Sequence, residues 1–165
     1  MTDCTAVTIR TELRPGDIGY LIYLHGTLYG TEYGYRLPFD IYVARGFAEF
    51  LERYDPERDR AWICEDRGRI VGSIVLMHRD NNIAQLRYFL LEKGYRGMGL
   101  GKRLMDLWME FLSEKGYRGA YLLTAEGLDA AAALYRRYGF ALTEETESTI
   151  FGIPVKELRY DLFPR

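Results

Sequence analysis

Cysteine and histidine are scarce in this chain of 165 residues: there are two cysteines, Cys4 and Cys64, and two histidines, His25 and His78. Neither pair has the close spacing of metal ligands, so no metal is implied and no disulfide framework is expected. Both cysteines are read as thiols of a reducing compartment. No apolar run approaches the ~20 residues of a membrane-spanning helix. Residues 1–5 hold neither a basic nor an apolar segment, so no leader is expected and a cytoplasmic location follows. An excess of either charge is also missing. The 22 Lys and Arg stand against 24 Asp and Glu, for a net charge of −2. A chain so balanced has no overall attraction to nucleic acid or to anionic membranes, and neither is expected as a partner. Repeats, low-complexity stretches and linkers are absent, so residues 1–165 read as a single domain.

Aromatic residues, by contrast, are plentiful at 15%, with 14 tyrosines, many of them between Tyr20 and Tyr42. Residues 6–13 alternate and are rich in β-branched side chains, which predicts a first strand. Asp17 stands where a helix N-cap belongs, and apolar residues recur at helical spacing over 18–29. A loop over 30–37 leads to a second predicted helix over 38–54. Three β-rich runs follow, at 61–65, 69–78 and 83–91, separated by turn-forming residues as in an antiparallel meander. A strongly amphipathic helix starts near Leu100 and is ended by Gly116. Residues 120–124 read as a strand, 128–138 as a helix, and 140–146 and 154–162 as two last strands. The predicted order is β-α-α-β-β-β-α-β-α-β-β, an α/β (α+β) pattern.

The densest chemical signal lies between the strand over 83–91 and the helix after it. Gly97, Gly99 and Gly101 alternate there, flanked by Arg96, Lys102 and Arg103. The first turn of a helix has unpaired N–H groups and partial positive charge, and glycines let main chain approach an anion closely. A phosphate or pyrophosphate ligand suits this arrangement. A P-loop is a poor fit, because Gly101-Lys102 is followed by Arg103 and not by a hydroxyl for magnesium. A dinucleotide fingerprint is a poor fit too, because Lys102 stands where its third glycine should be.

The run from Tyr95 to Leu104 closely resembles the cofactor motif of the GNAT superfamily of N-acetyltransferases, Arg/Gln-x-x-Gly-x-Gly/Ala. Downstream, the run from Ala131 to Phe140 resembles that family's Ala-x-x-Leu-Tyr-x-x-x-Gly-Phe. The element order also matches, so the resemblance covers nearly the whole chain and implies a mixed, mostly antiparallel central sheet flanked by helices. It implies acetyl-CoA as cofactor, with its pyrophosphate on Arg96, Gly97, Met98, Gly99, Leu100, Gly101 and Lys102. It further implies that Phe89, Leu90 and Leu91 line the pantetheine arm, that the Leu91 N–H polarises the thioester carbonyl, and that Tyr135 protonates the departing thiolate. More narrowly, residues 123–131 and the His25-Gly26 and Tyr33-Gly34-Tyr35 runs resemble the branch found fused to MarR-type regulators, here without a DNA-binding domain.

The chain departs from the family at two positions. Leu128 replaces a frequent asparagine, and the strand over 83–91 has no carboxylate to serve as general base; Gln85 and Arg87 are its polar members. Glu32, Glu65 and Glu126, or a water relay, are the candidates left. The first two helices are expected to cover the acceptor site, with His25, Tyr29, Glu32 and Tyr33 as substrate residues and Tyr35, Phe39 and Tyr42 near them. Phenols and a carboxylate suit a small-molecule or peptide amine. His25 also reads as a half-buried structural residue, His78 as plain surface, and the aromatics as core or as a homodimer contact. Two other functions stay open: an acyl-CoA-binding sensor without catalysis, and a protein-interaction domain.

Overall fold

The computed structural model describes residues 6–163, so Cys4 and the N-terminal residues behind the leader expectation lie outside it. The elements are β1 (Val7–Arg10), α1 (Asp17–Tyr33), α2 (Leu37–Glu52), β2 (Arg60–Asp66), β3 (Arg69–Arg79), β4 (Ile83–Leu91), α3 (Leu100–Glu114), β5 (Gly119–Ala125), α4 (Asp129–Arg137), β6 (Ala141–Ser148) and β7 (Val155–Leu162). This is the order that the sequence predicts.

Three local expectations change. β1 stops at Arg10, well short of Leu13. Asp17 does not cap α1: Gly16 occupies the cap, and the Asp17 carboxylate instead accepts from the Arg14 N–H at 2.7 Å and from the Arg10 guanidinium twice at 2.8 Å. A full charge nearby is a stronger partner than the helix's own N–H groups. The expected loop over 30–37 is largely helix, because α1 continues to Tyr33 and ends on Gly34, whose N–H reaches the Gly30 carbonyl. Tyr29 and Tyr33, one turn apart with ring centroids 5.5 Å from each other, hold that last turn.

The seven strands form one sheet in the order β1-β2-β3-β4-β5-β7-β6. All neighbours are antiparallel except β4 and β5. Alternation sends each strand's side chains to two cores. In β2, Trp62 and Cys64 join the core under α3 and α4, whereas Ala61 and Ile63 join the core under α1 and α2. Trp108 ties α3 to the sheet: its ring is fully buried and its indole N–H donates to the Val75 carbonyl at 3.1 Å.

Two features open the centre of the sheet. The parallel pairing of β4 with β5 runs only from Ile83↔Gly119 to Leu86↔Leu122. Beyond that point β4 stays with β3 and β5 stays with β7, so the two strands separate. At the same level β4 bulges against β3 between Ser73 and Val75, and Tyr88 takes a left-handed φ of 52°. A non-glycine residue held there is uncommon and points to a special local demand. The buried Ser73 hydroxyl pins the bulge by donating to the Tyr88 carbonyl at 2.6 Å. Bulges end regular pairing and re-aim side chains, and this one sits where the sheet splits.

Candidate active site

Two clefts meet at the split. The first, of about 1300 Å³, lies against the glycine-rich turn and is lined by Phe89, Leu90, Leu91, Arg96, Gly97, Gly99, Gly101 and Lys102, with α4 residues opposite. Gly97 and Gly99 have φ of 75° and 81°, and a Cβ on either would meet open space. The turn is therefore a cradle that side chains would strain and partly fill. The first bond of α3 runs from the Arg103 N–H to the Gly99 carbonyl. The N–H groups of Leu100, Gly101 and Lys102 are left without an intrahelical acceptor, as an anion site requires. These features fit a pyrophosphate.

The cations expected to help are already engaged. Arg96 donates to both oxygens of Glu32 at 2.7 and 2.9 Å and to the Leu91 carbonyl at 2.9 Å, and Lys102 pairs with Asp106 at 2.8 Å. The anion-binding capacity of the turn thus rests first on main chain. Met98, which is half-buried, and Leu100, whose side chain packs into the core under α3, are not among the residues lining the cleft.

Main-chain direction sets one more donor. The Glu92 N–H donates to the Val71 carbonyl on β3 at 2.9 Å. Backbone alternation then turns the Leu91 N–H to the opposite, open side of β4, as the resemblance implies for an oxyanion donor.

The second cleft, of about 760 Å³, lies on the α1–α2 side and is walled by His25, Tyr29, Tyr35, Phe39, Arg87 and Tyr88 on one side and Thr124, Ala125 and Glu157 on the other. Tyr29, Phe89, Thr124, Leu128 and Tyr135 line both clefts. Tyr135, on the buried face of α4, therefore stands where they join. Burial, and then the neighbouring Tyr29 and Tyr160 hydroxyls, push its phenol well above the ordinary value. It holds its proton throughout the neutral range.

The expected substrate residues divide between the clefts. His25 and Tyr29 wall the second, but Glu32 and Tyr33 lie on the first. His25 is fully buried and not half-buried. Its Nδ1–H donates to the Leu21 carbonyl at 2.7 Å, and burial, then the charge of Arg87, push it down to about 4. The hydrogen bond from Arg96 holds Glu32 below the usual carboxylate range. Glu65 is bound to Arg10 at 2.7 Å near the β1 edge of the sheet, and Glu126 is exposed and lines neither cleft. His78 is not plain surface: its Nδ1 lies 2.8 Å from the buried Asp59. Glu157 and Phe151, both on the second cleft, were not legible beforehand. Glu157 stands beside Lys156 and near Arg159 like any polar residue of a half-exposed strand, and Phe151 comes from the β6–β7 loop.

The sequence profile of the acetyltransferase (GNAT) family matches residues 27–140. The chain belongs to the GNAT family. Members use acetyl-CoA as co-substrate, and the glycine turn and its open cradle suit it.

An acetyltransferase from Streptococcus agalactiae superposes on this GNAT chain with a TM-score of 0.74 at 20% identity, over 96% of this chain and 99% of that one. A GNAT acetyltransferase from Staphylococcus aureus gives 0.72 at 23% identity, over 95% and 99%. One from Elizabethkingia anophelis, solved with acetyl-CoA bound, gives 0.65 at 15% identity, over 96% and 99%. These likenesses show the fold. Among curated proteins, the N-acetylaspartate synthetase of Danio rerio is 32% identical over 87 residues. That match covers 52% of this chain and 31% of the relative, so the chain spans about a third of that protein.

Proposed function

We propose that this GNAT acetyltransferase moves an acetyl group from acetyl-CoA to a primary amine by direct attack, with Tyr135 as general acid. The observation that carries the reading is the junction itself. An anion cradle and an aromatic cavity meet where the sheet splits, and Tyr135, together with Tyr29, lines both. The bound cofactor supplies an activated thioester. Main-chain N–H groups of residues 97–102 hold its pyrophosphate, and the Leu91 N–H meets the carbonyl oxygen, where negative charge develops.

The acceptor nitrogen forms the C–N bond as the C–S bond breaks. Tyr135 gives its proton to the sulfur, and the nitrogen loses one to a base, which balances the exchange. Glu157 is the carboxylate on the wall of the second cleft, so it is assigned to hold the ammonium and take, directly or through water, the proton whose loss frees the lone pair; the second proton, lost from nitrogen after attack, restores the Tyr135 phenol. The curated relative's name denotes an N-acetylated amine, which accords with nitrogen as the acceptor.

The test is calorimetric titration of acetyl-CoA into wild type and Tyr135→Phe, with thioester consumption followed over an amine panel. Equal binding by both, with turnover about 10²–10⁴-fold slower in the variant, is expected. Binding without turnover of any amine would make the protein a sensor. Absence of binding would return the glycine turn to a structural role.

A further inference from the structure

We infer that the acceptor carries a carboxylate beside its amine, and that Arg87 is the residue that recognises it. The inference deepens the acyl-transfer reading, which fixes where the amine must face; the anion site itself stands on the surroundings of Arg87.

The bulge in β4 creates that site. Leu86 and Phe89 belong to the core under α3 and α4, whereas Tyr88 belongs to the core under α1 and α2. Arg87 lies over the Tyr88 ring at 4.8 Å and near the Tyr42 ring at 5.8 Å, so both neighbours project to the acceptor side. In regular strand, consecutive residues point to opposite faces. Helix α2 makes room with Gly46, where a Cβ would lie 2.5 Å from Arg87 Nη2 and 2.1 Å from the Tyr88 hydroxyl.

The Arg87 side chain is only 10% exposed, yet among the described residues its guanidinium makes no hydrogen bond. Its one ionic neighbour is Glu49 Oε2, at 3.9 Å. Glu49 is shared: Arg79 holds its other oxygen, and Arg53 reaches that same oxygen at 3.3 Å. Three guanidiniums thus surround one carboxylate. His25, which also faces Arg87, adds no charge at neutral pH. The buried Tyr88 hydroxyl and His25 Nε2 have no partner among the described residues either. The Arg87 donors, unlike those two atoms, are not shut off from open space, so they are free to meet a ligand. A carboxylate meets the guanidinium fork with two parallel hydrogen bonds.

The opposite wall carries the complementary charge. Glu157 is the carboxylate among the residues lining this cavity, and among the described residues it makes no ion pair. Arg87 and Glu157 thus line one aromatic-walled space, a zwitterion's complement. A simple amine would satisfy Glu157 and leave Arg87 unpaired.

The test uses the full chain saturated with CoA. The common α-amino acids and β-alanine, each beside its own carboxamide, are titrated by calorimetry. The same pairs serve as acceptors in a thioester assay. The expected result is an acid-over-amide preference of about 10- to 100-fold for at least one pair, the size of a hydrogen bond to a charged group. In Arg87→Gln that ratio should fall close to one. Gly46→Ala, which crowds the guanidinium without removing it, should lower the ratio as well, with melting curves confirming that both variants fold. Equal handling of acids and amides by wild type, or an undiminished ratio in Arg87→Gln, would overturn the inference. Loss of CoA binding would instead count against the acyl-transfer reading, and the acid–amide difference in binding would still be read.

Discussion

The cleft against the glycine turn and the aromatic-walled cavity proposed for the acceptor share Tyr135 but are assembled differently. The cofactor side is a continuous run of main chain, residues 97–102, in which the N–H groups of Leu100, Gly101 and Lys102 have no intrahelical acceptor. The acceptor side draws Arg87 from β4, Glu157 from β7, His25 and Tyr29 from α1, and Tyr35 and Phe151 from two loops. The first is local and tolerant of sequence elsewhere. The second exists only because a bulge and a broken strand pairing bring distant side chains to one space. Chemistry common to a family suits the first construction, and selection among acceptors suits the second, because side chains can change there without disturbing the cradle.

Gly99→Glu should produce the largest effect and the sharpest separation of the two sides. It places a side chain at φ 81°, fills the cradle and adds like charge before a pyrophosphate. Affinity for acetyl-CoA should fall by more than about 100-fold, since both an anion and its donors are affected. The acid–amide difference in acceptor binding should persist. Retained cofactor affinity in calorimetry would show that the turn is misassigned; loss of both would show that the two clefts are not separable.

The acceptor side should reveal itself in acid stability. His25 titrates near its ordinary value of 6.5 when unfolded and is pushed down to about 4 when folded. Between these values the unfolded chain binds more protons, so this contribution is complete above pH 6.5 and is lost as pH falls toward 4. The loss is on the order of 3 kcal/mol. His25→Phe keeps the ring among Tyr29, Phe47 and Tyr88 and removes the titration. Urea melts at pH 7 and pH 4.5 should show a smaller drop for the variant than for wild type. An equal drop would mean that other groups carry the acid sensitivity.

The smallest effect is expected from Glu32→Gln. Glu32 engages Arg96 and puts a negative charge beside the pyrophosphate cradle. Freeing that arginine should tighten acetyl-CoA binding by a few-fold, in keeping with the modest energy of partly exposed ion pairs. The gain should shrink at high salt. Weaker binding would mean instead that the pair holds α1 against the turn as part of the cleft.

Much of this protein was legible in its residues. Periodicity gave every strand and helix in order, because period-2 and period-3.6 patterns reflect burial on one face. The glycine alternation and the Ala131–Phe140 run pointed to the cradle and to Tyr135, because each is contiguous and its chemistry is mostly main chain or a single side chain. The end of α1 was missed because Gly30 and Thr31 look like loop residues, while the ring contacts of Tyr29 and Tyr33 that extend the helix are spatial. The engagement of Arg96 by Glu32 was invisible for the same reason. A formal charge count near a motif does not show which charges are already paired.

The sequence by itself determined the order of elements, the family and the anion-binding turn, since these depend on neighbours along the chain. Only the tertiary structure decided how the second cavity is built. The left-handed bulge at Tyr88, the end of β4–β5 pairing after Leu86 and the space beside Gly46 together bring Arg87 into the lining of the cavity that Glu157 also lines. No local preference encodes that meeting, because it arises from strands that pair across long separations and then part.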